Sequence, residues 1–322
     1  MRKPIVVVTR TLPESIESRL KALCEVTLNT DNHAFTRVEL EQAVARAEVL
    51  VPTVTDTIDA NLIAKAGEQL KLIANFGAGI DHIDLVAAKA KGITVTNTPS
   101  VLTEDTADVA MALILATPRR LSEGAQLVRA GGWKGWSPTF MLGYRLGGKT
   151  LGIIGLGRIG QAVARRAKAF GLSVIYHNRK PLHPSVEQEL SATYVSLDEL
   201  LTRSDIVSLH CPHTKDTHHM ISSARLRQMK PASYIVNVSR GALIDEPALI
   251  AALKQGAIAG AGLDVFEHEP QISPELTTLS NVVLTPHLSS ATVEARIEMG
   301  EKVLINIRSF VDGHRPPDRV LM

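Results

Sequence analysis

Cysteine is almost absent from this 322-residue chain: Cys24 and Cys211 are the only two. That excludes a disulfide-stapled scaffold and fits a reducing compartment. Aromatics are scarce too, at 4% against 45% hydrophobic residues, so the core has to be aliphatic, built from Val, Ile, Leu and Ala. A formal charge of +2 is too small and too dispersed for a nucleic-acid surface. Long apolar runs are missing. The run at 5–8 is too short for the core of a secretion signal and reads as a first strand, and the most apolar helical stretch, 108–116, falls far short of a membrane span. The expectation is a soluble, cytoplasmic protein, long enough for two domains and a large core.

What the chain does have is alternation. Short β-rich runs at 5–9, 26–28, 49–53, 72–76 and 94–96 are separated by helical patterns at 13–23, 37–45 and 59–66. After Lys149 the pattern restarts, with runs at 151–154, 174–177, 206–210, 235–238, 261–265 and 282–285 among helical patterns at 159–170, 196–202, 222–229 and 246–253. This predicts an α/β protein with doubly wound parallel sheets, in two similar units in series. A long apolar helix is predicted over 103–117, after the stop at Thr98-Pro99, and a last helix over 292–310. The segment 131–148 has no clear periodicity and reads as an exposed loop or arm. On pattern alone, a boundary near 148 and one near 99 are equally defensible.

Gly155-Leu156-Gly157-Arg158-Ile159-Gly160 directly follows the run 150–154 and opens an Ala-rich helix. In a strand–turn–helix context such glycines serve a tight turn, close backbone approach to a pyrophosphate and tight helix–strand contact. The helix N-terminus then aims free N–H groups at the phosphates. The following strand runs out into Tyr176-His177-Asn178-Arg179-Lys180. A carboxylate there would grip the 2′-hydroxyl of NAD and repel a 2′-phosphate; none is present, and two cations stand where a phosphate would lie. A solvated turn with routine surface charges is the plain alternative. The missing carboxylate tips the reading to NADPH, with NADH a weaker second.

Arg240, Glu269 and His287 lie just past three later runs, at the carboxyl ends of predicted parallel strands, where open α/β sheets bind ligands. A 2-oxo acid presents a planar carboxylate beside its carbonyl, and a guanidinium can hold both. Hydride arriving at the carbonyl carbon leaves an alkoxide that needs a proton, and a free imidazole titrates at about 6.5. A carboxylate beside the ring favours its protonated form and orients it. Taken singly, each residue has a bland explanation as a surface ion-pair partner, a solvated strand exit or a turn residue. Their joint placement beside a dinucleotide fingerprint carries the reading. His210, His213, His218 and His219 cluster nearby, but without acidic or thiolate company beyond Cys211, so no metal site is expected.

At these residues the chain closely resembles the D-isomer-specific 2-hydroxyacid dehydrogenases, above all in Asn97-Thr98-Pro99, Asp105-Thr106-Ala107-Asp108, the glycine hexad, Asn237-Val238-Ser239-Arg240-Gly241, Gly262 through Pro270 and Thr285-Pro286-His287. Within that family it looks most like the NADPH-preferring glyoxylate/hydroxypyruvate reductases. The resemblance implies two Rossmann-like or flavodoxin-like domains with an active-site cleft between them. A discontinuous substrate-binding domain would take 1–99 with 288–322, and a dinucleotide-binding domain 100–287 with a dimerisation arm. It implies Arg240 as binder of the substrate carboxylate and carbonyl, His287 as acid/base, Glu269 as its partner, and the backbone of Ala78 and Gly79 at the substrate carboxylate. Thr106 and Asp264 fall on family positions near the nicotinamide and Ser289 just beyond His287; Val238 and Ser239 join the cofactor set. A homodimer follows, with Phe140 or Met141 of the arm near the neighbouring active site.

The expected reaction is reduction of glyoxylate or hydroxypyruvate to glycolate or D-glycerate, with 2-ketogluconate or another 2-oxo acid as the alternative. A dinucleotide-sensing regulator without turnover is disfavoured by the intact Arg240/Glu269/His287 set. A phosphoglycerate dehydrogenase would want an acidic NAD determinant and commonly a C-terminal regulatory extension, and a chain reaching Met322 is expected to have neither. Loops such as 52–55 should gauge substrate size.

Overall fold

Val6, Val7 and Val8 are completely buried, as a strand covered on both faces requires. They belong to a sheet of Ile5–Val8 (β1), Glu25–Thr27 (β2), Val49–Val51 (β3), Leu72–Ala74 (β4) and Thr94–Thr96 (β5). All pairings are parallel, in the order β2-β1-β3-β4-β5. The pleat sends Val7, Leu50, Ile73 and Val95 into one apolar cluster, and Val6, Val8, Val49, Val51, Leu72 and Ala74 into another. Polar caps start the connecting helices: Thr36 and Glu39 form a reciprocal capping box on Arg37–Arg46, while Asp59 and Asp84 each accept a backbone N–H in the helices that follow them. The computed structural model describes residues 2–321; Met1 and Met322, the outermost positions of the predicted substrate-binding domain, lie outside the described residues. Two compact units result, one running to Leu102 and resuming at Ala291, the other Thr103–Ser290. The helix Val293–Val311 belongs to the first, against β4 and the helix Glu14–Leu23.

The second unit holds a seven-stranded parallel sheet: Thr150–Ile154 (β6), Ser173–His177 (β7), Ala192–Tyr194 (β8), Ile206–Leu209 (β9), Tyr234–Asn237 (β10), Gly260–Leu263 (β11) and Val282–Leu284 (β12). Its order is β12-β11-β10-β9-β6-β7-β8, so the chain reverses direction across the sheet between β6 and β9. At such a switch point the loops leaving neighbouring strands diverge and open a crevice at the carboxyl ends. Large aliphatic clusters cover both faces, one including Ile235, Leu249 and Leu263, the other Ala110, Ile153 and Val163.

Several elements escape the sequence reading, among them the short helices Leu85–Ala90, Pro184–Leu190 and Pro274–Thr277, the strand β8 and the helix Leu121–Arg129. β8 is three residues long and pairs only with β7, too short a run to show a period. The helix Leu121–Arg129 contains Gly124 and buries no residue, so nothing in its environment demands a strong pattern. The segment 131–148 contains no regular helix or strand. No helix among the described residues is long and apolar enough to cross a membrane.

Candidate active site

β6 ends in a turn that glycine alone can make. Gly155 has φ of 96°, and a Cβ there would stand 2.6 Å from the amide nitrogen of Cys211. A Cβ on Gly160 would overlap the Gly155 carbonyl oxygen, so this glycine lets the helix Arg158–Ala169 close on its strand. Gly157 differs. A Cβ there would meet nothing within 4 Å, and the helix it caps has no side-chain cap, so open space lies in front of unsatisfied backbone N–H groups. That is the cradle a pyrophosphate needs, and the residues present fit a dinucleotide.

At the end of β7, the Asn178 side-chain oxygen accepts the Leu156 N–H at 2.7 Å. Sequence reasoning placed Asn178 in the cofactor set; its oxygen is spent on shaping the glycine turn. Arg179 and Lys180 are exposed, and neither has an acidic partner among the described residues. Thr106 is buried in the helix Thr103–Ala116.

Arg240, Glu269 and His287 leave the ends of β10, β11 and β12, three adjacent strands. The Arg240 loop is tied by Asn237, which is fully buried: its Nδ2 donates to the Arg240 carbonyl at 2.8 Å and its Oδ1 accepts the Ser239 N–H at 3.0 Å. Ser239 Oγ donates to the Cys211 carbonyl at 2.6 Å, and Val238 is buried beside it. Gly241 has no room for a side chain, because a Cβ would overlap the peptide joining Phe266 to Glu267. The Arg240 loop is thereby pressed against the loop that carries Glu269.

Glu269 Oε1 accepts the Phe266 N–H at 2.9 Å, while Oε2 meets His287 Nδ1 at 2.7 Å. Burial alone would push this carboxyl up; the His287 ring, followed by the Phe266 N–H and then the charge of Arg240, holds it below the ordinary carboxylate value. His287 itself sits at φ of 51°, in the left-handed region that residues with a β-carbon avoid. Asp264 holds it there. Its backbone oxygen accepts the His287 N–H at 2.8 Å, and its fully buried carboxylate gathers Thr285 Oγ1 at 2.7 Å, the N–H groups of Leu288 and Ser289 at 2.9 Å, and the Ser289 hydroxyl. Such local strain persists where surrounding contacts over-determine the geometry. The resemblance set Asp264 and Ser289 near the nicotinamide; in the structure both are buried and bonded to each other, behind the histidine loop.

The remaining histidines have other partners. Burial drives the His210 ring down to about 3, so it stays neutral, with Nε2 at 2.8 Å from Ser208 Oγ. His213 Nε2 lies 3.2 Å from His218 Nδ1, His218 stacks on His219 at 4.0 Å, and His219 Nε2 meets Glu267 Oε1 at 2.5 Å. Ala78 and Gly79 belong to the other unit, in the loop after β4. Sequence reasoning gave no role to Asn237, Gly241 or Thr285. The Asn-x-Ser spacing before Arg240 was the available signal, since a short amide at such a position bonds its own backbone two residues on.

A glycine turn with open space before a bare helix N-terminus, and an imidazole–carboxylate couple on the same sheet, define the class: a dinucleotide-dependent oxidoreductase. Comparison with known proteins agrees. The sequence profile of the D-isomer specific 2-hydroxyacid dehydrogenase, NAD binding domain, matches residues 111–289. A glyoxylate reductase of Thermococcus litoralis is 49% identical over 322 residues, covering 99% of this chain and 97% of its own. Among solved structures, a glyoxylate reductase from Paecilomyes thermophila superposes with a TM-score of 0.89 at 36% identity, over 99% of each chain. An NADPH-dependent glyoxylate/hydroxypyruvate reductase from Sinorhizobium meliloti, in complex with NADP and malonate, gives 0.87 at 34% identity, over 99% of this chain and 97% of its own. The chain belongs to the D-isomer-specific 2-hydroxyacid dehydrogenase family.

Proposed function

We propose that the protein is a reductase of small 2-oxo acids, acting on glyoxylate and hydroxypyruvate with NADPH as the preferred cofactor. The Thermococcus and Paecilomyes relatives named glyoxylate reductase support the first substrate, and the Sinorhizobium protein supports the second. The observation that carries the reading is the 2.7 Å pair of His287 Nδ1 and Glu269 Oε2.

The bound cofactor supplies the hydride. Arg240 binds the substrate carboxylate and polarises the carbonyl, and the backbone N–H groups of Ala78 and Gly79, from their own unit, are assigned to an oxo-acid carboxylate. As hydride reaches the carbonyl carbon, the oxygen takes a proton from His287. Nδ1 is engaged by Glu269, so Nε2 is the nitrogen left to deliver it. Glu269 fixes the ring's orientation through its bond to Nδ1. Deprotonated His287 would accept the proton in the reverse direction.

The two unpaired cations at 179 and 180 favour a cofactor with a 2′-phosphate. A single charge-assisted contact to phosphate is worth roughly 1.5–3 kcal/mol, or about 10- to 150-fold in affinity. The Arg179→Ala/Lys180→Ala double variant is therefore expected to raise the NADPH KM at least about tenfold and to leave the NADH KM within about twofold. Kinetics with glyoxylate, hydroxypyruvate and 2-ketogluconate, each with both cofactors, test the whole reading; equal effects on NADPH and NADH would remove the cofactor assignment. The proposal includes a homodimer, supported by exposed Trp133, Trp136, Phe140, Leu142 and Tyr144 in and beside the arm.

A further inference from the structure

We propose that Asn75 is a positioning residue that turns the loop after β4 into a carboxylate receptor with three backbone donors, the amides of Ala78, Gly79 and Ile80. The proposal rests on the reading of the protein as a 2-oxo-acid reductase and assigns the part of the site that lies wholly in the first unit.

Three consecutive carbonyls of this loop are held by hydrogen bonds. Gly77 O accepts from Asn75 Nδ2 at 2.9 Å and from the Thr98 N–H at 3.0 Å. Ala78 O accepts from Asn97 Nδ2 at 2.8 Å, and Gly79 O accepts from Asn75 Nδ2 at 2.9 Å. All three oxygens are thus drawn back into the unit by side chains and backbone that lie beneath the loop. In a planar trans peptide the C=O and the N–H of the next residue point in opposite directions. Pinning the oxygens of residues 77, 78 and 79 inward therefore turns the N–H groups of 78, 79 and 80 outward. None of these amides has a protein acceptor among the described residues, and Ala78, Gly79 and Ile80 are partly exposed whereas Asn75, Phe76 and Gly77 are buried. Successive outward amides form a concave anion site without any side-chain charge.

Asn75 suits this task better than any residue of similar size. Its side chain is fully buried. Both of its amide hydrogens face carbonyl oxygens, which can only accept, so the orientation of the amide is fixed by chemistry. Oδ1 then faces His82 Nε2 at 3.0 Å, and that nitrogen must carry a hydrogen. Aspartate would keep the acceptor for His82 while setting an anionic oxygen against the two carbonyls. Alanine would release both carbonyls and free the peptides to rotate.

The test uses the full chain, steady-state kinetics with glyoxylate, and oxalate as a non-reacting carboxylate probe, its inhibition constant taken from turnover and its binding from calorimetry. Asn75→Asp and Asn75→Ala should raise the glyoxylate KM and weaken oxalate at least about tenfold, leaving kcat within about threefold and the NADPH KM unchanged. Asn97→Ala, which frees only the Ala78 carbonyl, should shift the same two constants in the same direction by a smaller factor, and it decides the matter if the Asn75 variants do not fold. A loss confined to kcat, or KM and oxalate constants indifferent to both asparagines, would overturn the proposal. Asn75-dependent oxalate binding in a protein that reduces no 2-oxo acid would sink the oxo-acid reading and leave the loop assignment standing.

Discussion

The two units share an architecture and divide the chemistry in different ways. Each is a parallel sheet covered by helices on both faces, and each presents its functional loops where strands end. In the second unit the proposed working groups are side chains: a guanidinium, a carboxylate and an imidazole on three neighbouring strand ends. In the first unit the proposed working groups are peptide N–H groups, and the side chains around them serve to turn the peptides. Carboxylates of the two units also behave in opposite ways. Asp56, among the loops of the first unit, has its carboxyl raised by burial, against the N–H of Thr53 and the hydroxyl of Thr9 that it accepts. Glu269, in the second, is held low by its histidine despite burial. One carboxylate is almost fully buried on a backbone N–H and a hydroxyl, the other is more open and bonded to an imidazole, and that difference in burial and partner sets the two directions.

The sharpest way to break this comparison is at His287. If proton delivery depends on its ring, His287→Ala should lower kcat by about 10²–10⁴, with the cofactor KM little changed. A loss below tenfold in the rate of nicotinamide oxidation would mean that another group supplies the proton.

Glu269→Gln should cost less, on the order of 10² in kcat, because the ring remains but loses its anionic partner. Acid denaturation of the same variant checks the sign of the carboxyl shift. A carboxyl whose folded value is depressed contributes its stability in full above the ordinary value, near 4.3, and loses it as pH falls through the lower folded value. Wild type should therefore lose stability relative to Glu269→Gln as the solution is acidified through that range. Parallel curves would remove the His287–Glu269 coupling.

The smallest expected effect is at Asp56, with the opposite sign. Its folded value lies above the ordinary one, so its contribution is present below about 3.9 and declines as pH rises through the folded value. Asp56→Asn keeps an oxygen to accept from Thr53 and Thr9 without a buried charge. The variant should gain stability relative to wild type on going from acid to neutral pH, measured by thermal unfolding. A gain in acid alone would invert the assignment.

Legibility in the sequence follows the same division. The glycine hexad, Arg240, Glu269 and His287 could be read because each position demands a particular residue type: no Cβ at Gly155 and Gly160, a fixed cation, a titratable ring. Interior strands such as β1 and β10 were equally legible, since largely apolar runs are what a strand covered on both faces requires. β8 was not, being three residues at an edge. Asp264 entered the candidate site through the family resemblance alone, and its work of gathering the loop that carries His287 depends on contacts more than twenty residues away in sequence. Asn178 could be read as the absence of a carboxylate, while its bond to Leu156 could not.

The amino-acid order by itself determined that this is an aliphatic α/β chain with a dinucleotide turn and a cation, a carboxylate and an imidazole at later strand ends, because local pattern and residue chemistry are properties of neighbours along the chain. Only the tertiary structure decided that Gly241 seats the Arg240 loop against the loop of Glu269, that His287 is held in a left-handed conformation, and which way the peptides after β4 face. Those outcomes are set by hydrogen bonds between residues distant in sequence, and a peptide plane turns to whichever partner the folded neighbourhood offers.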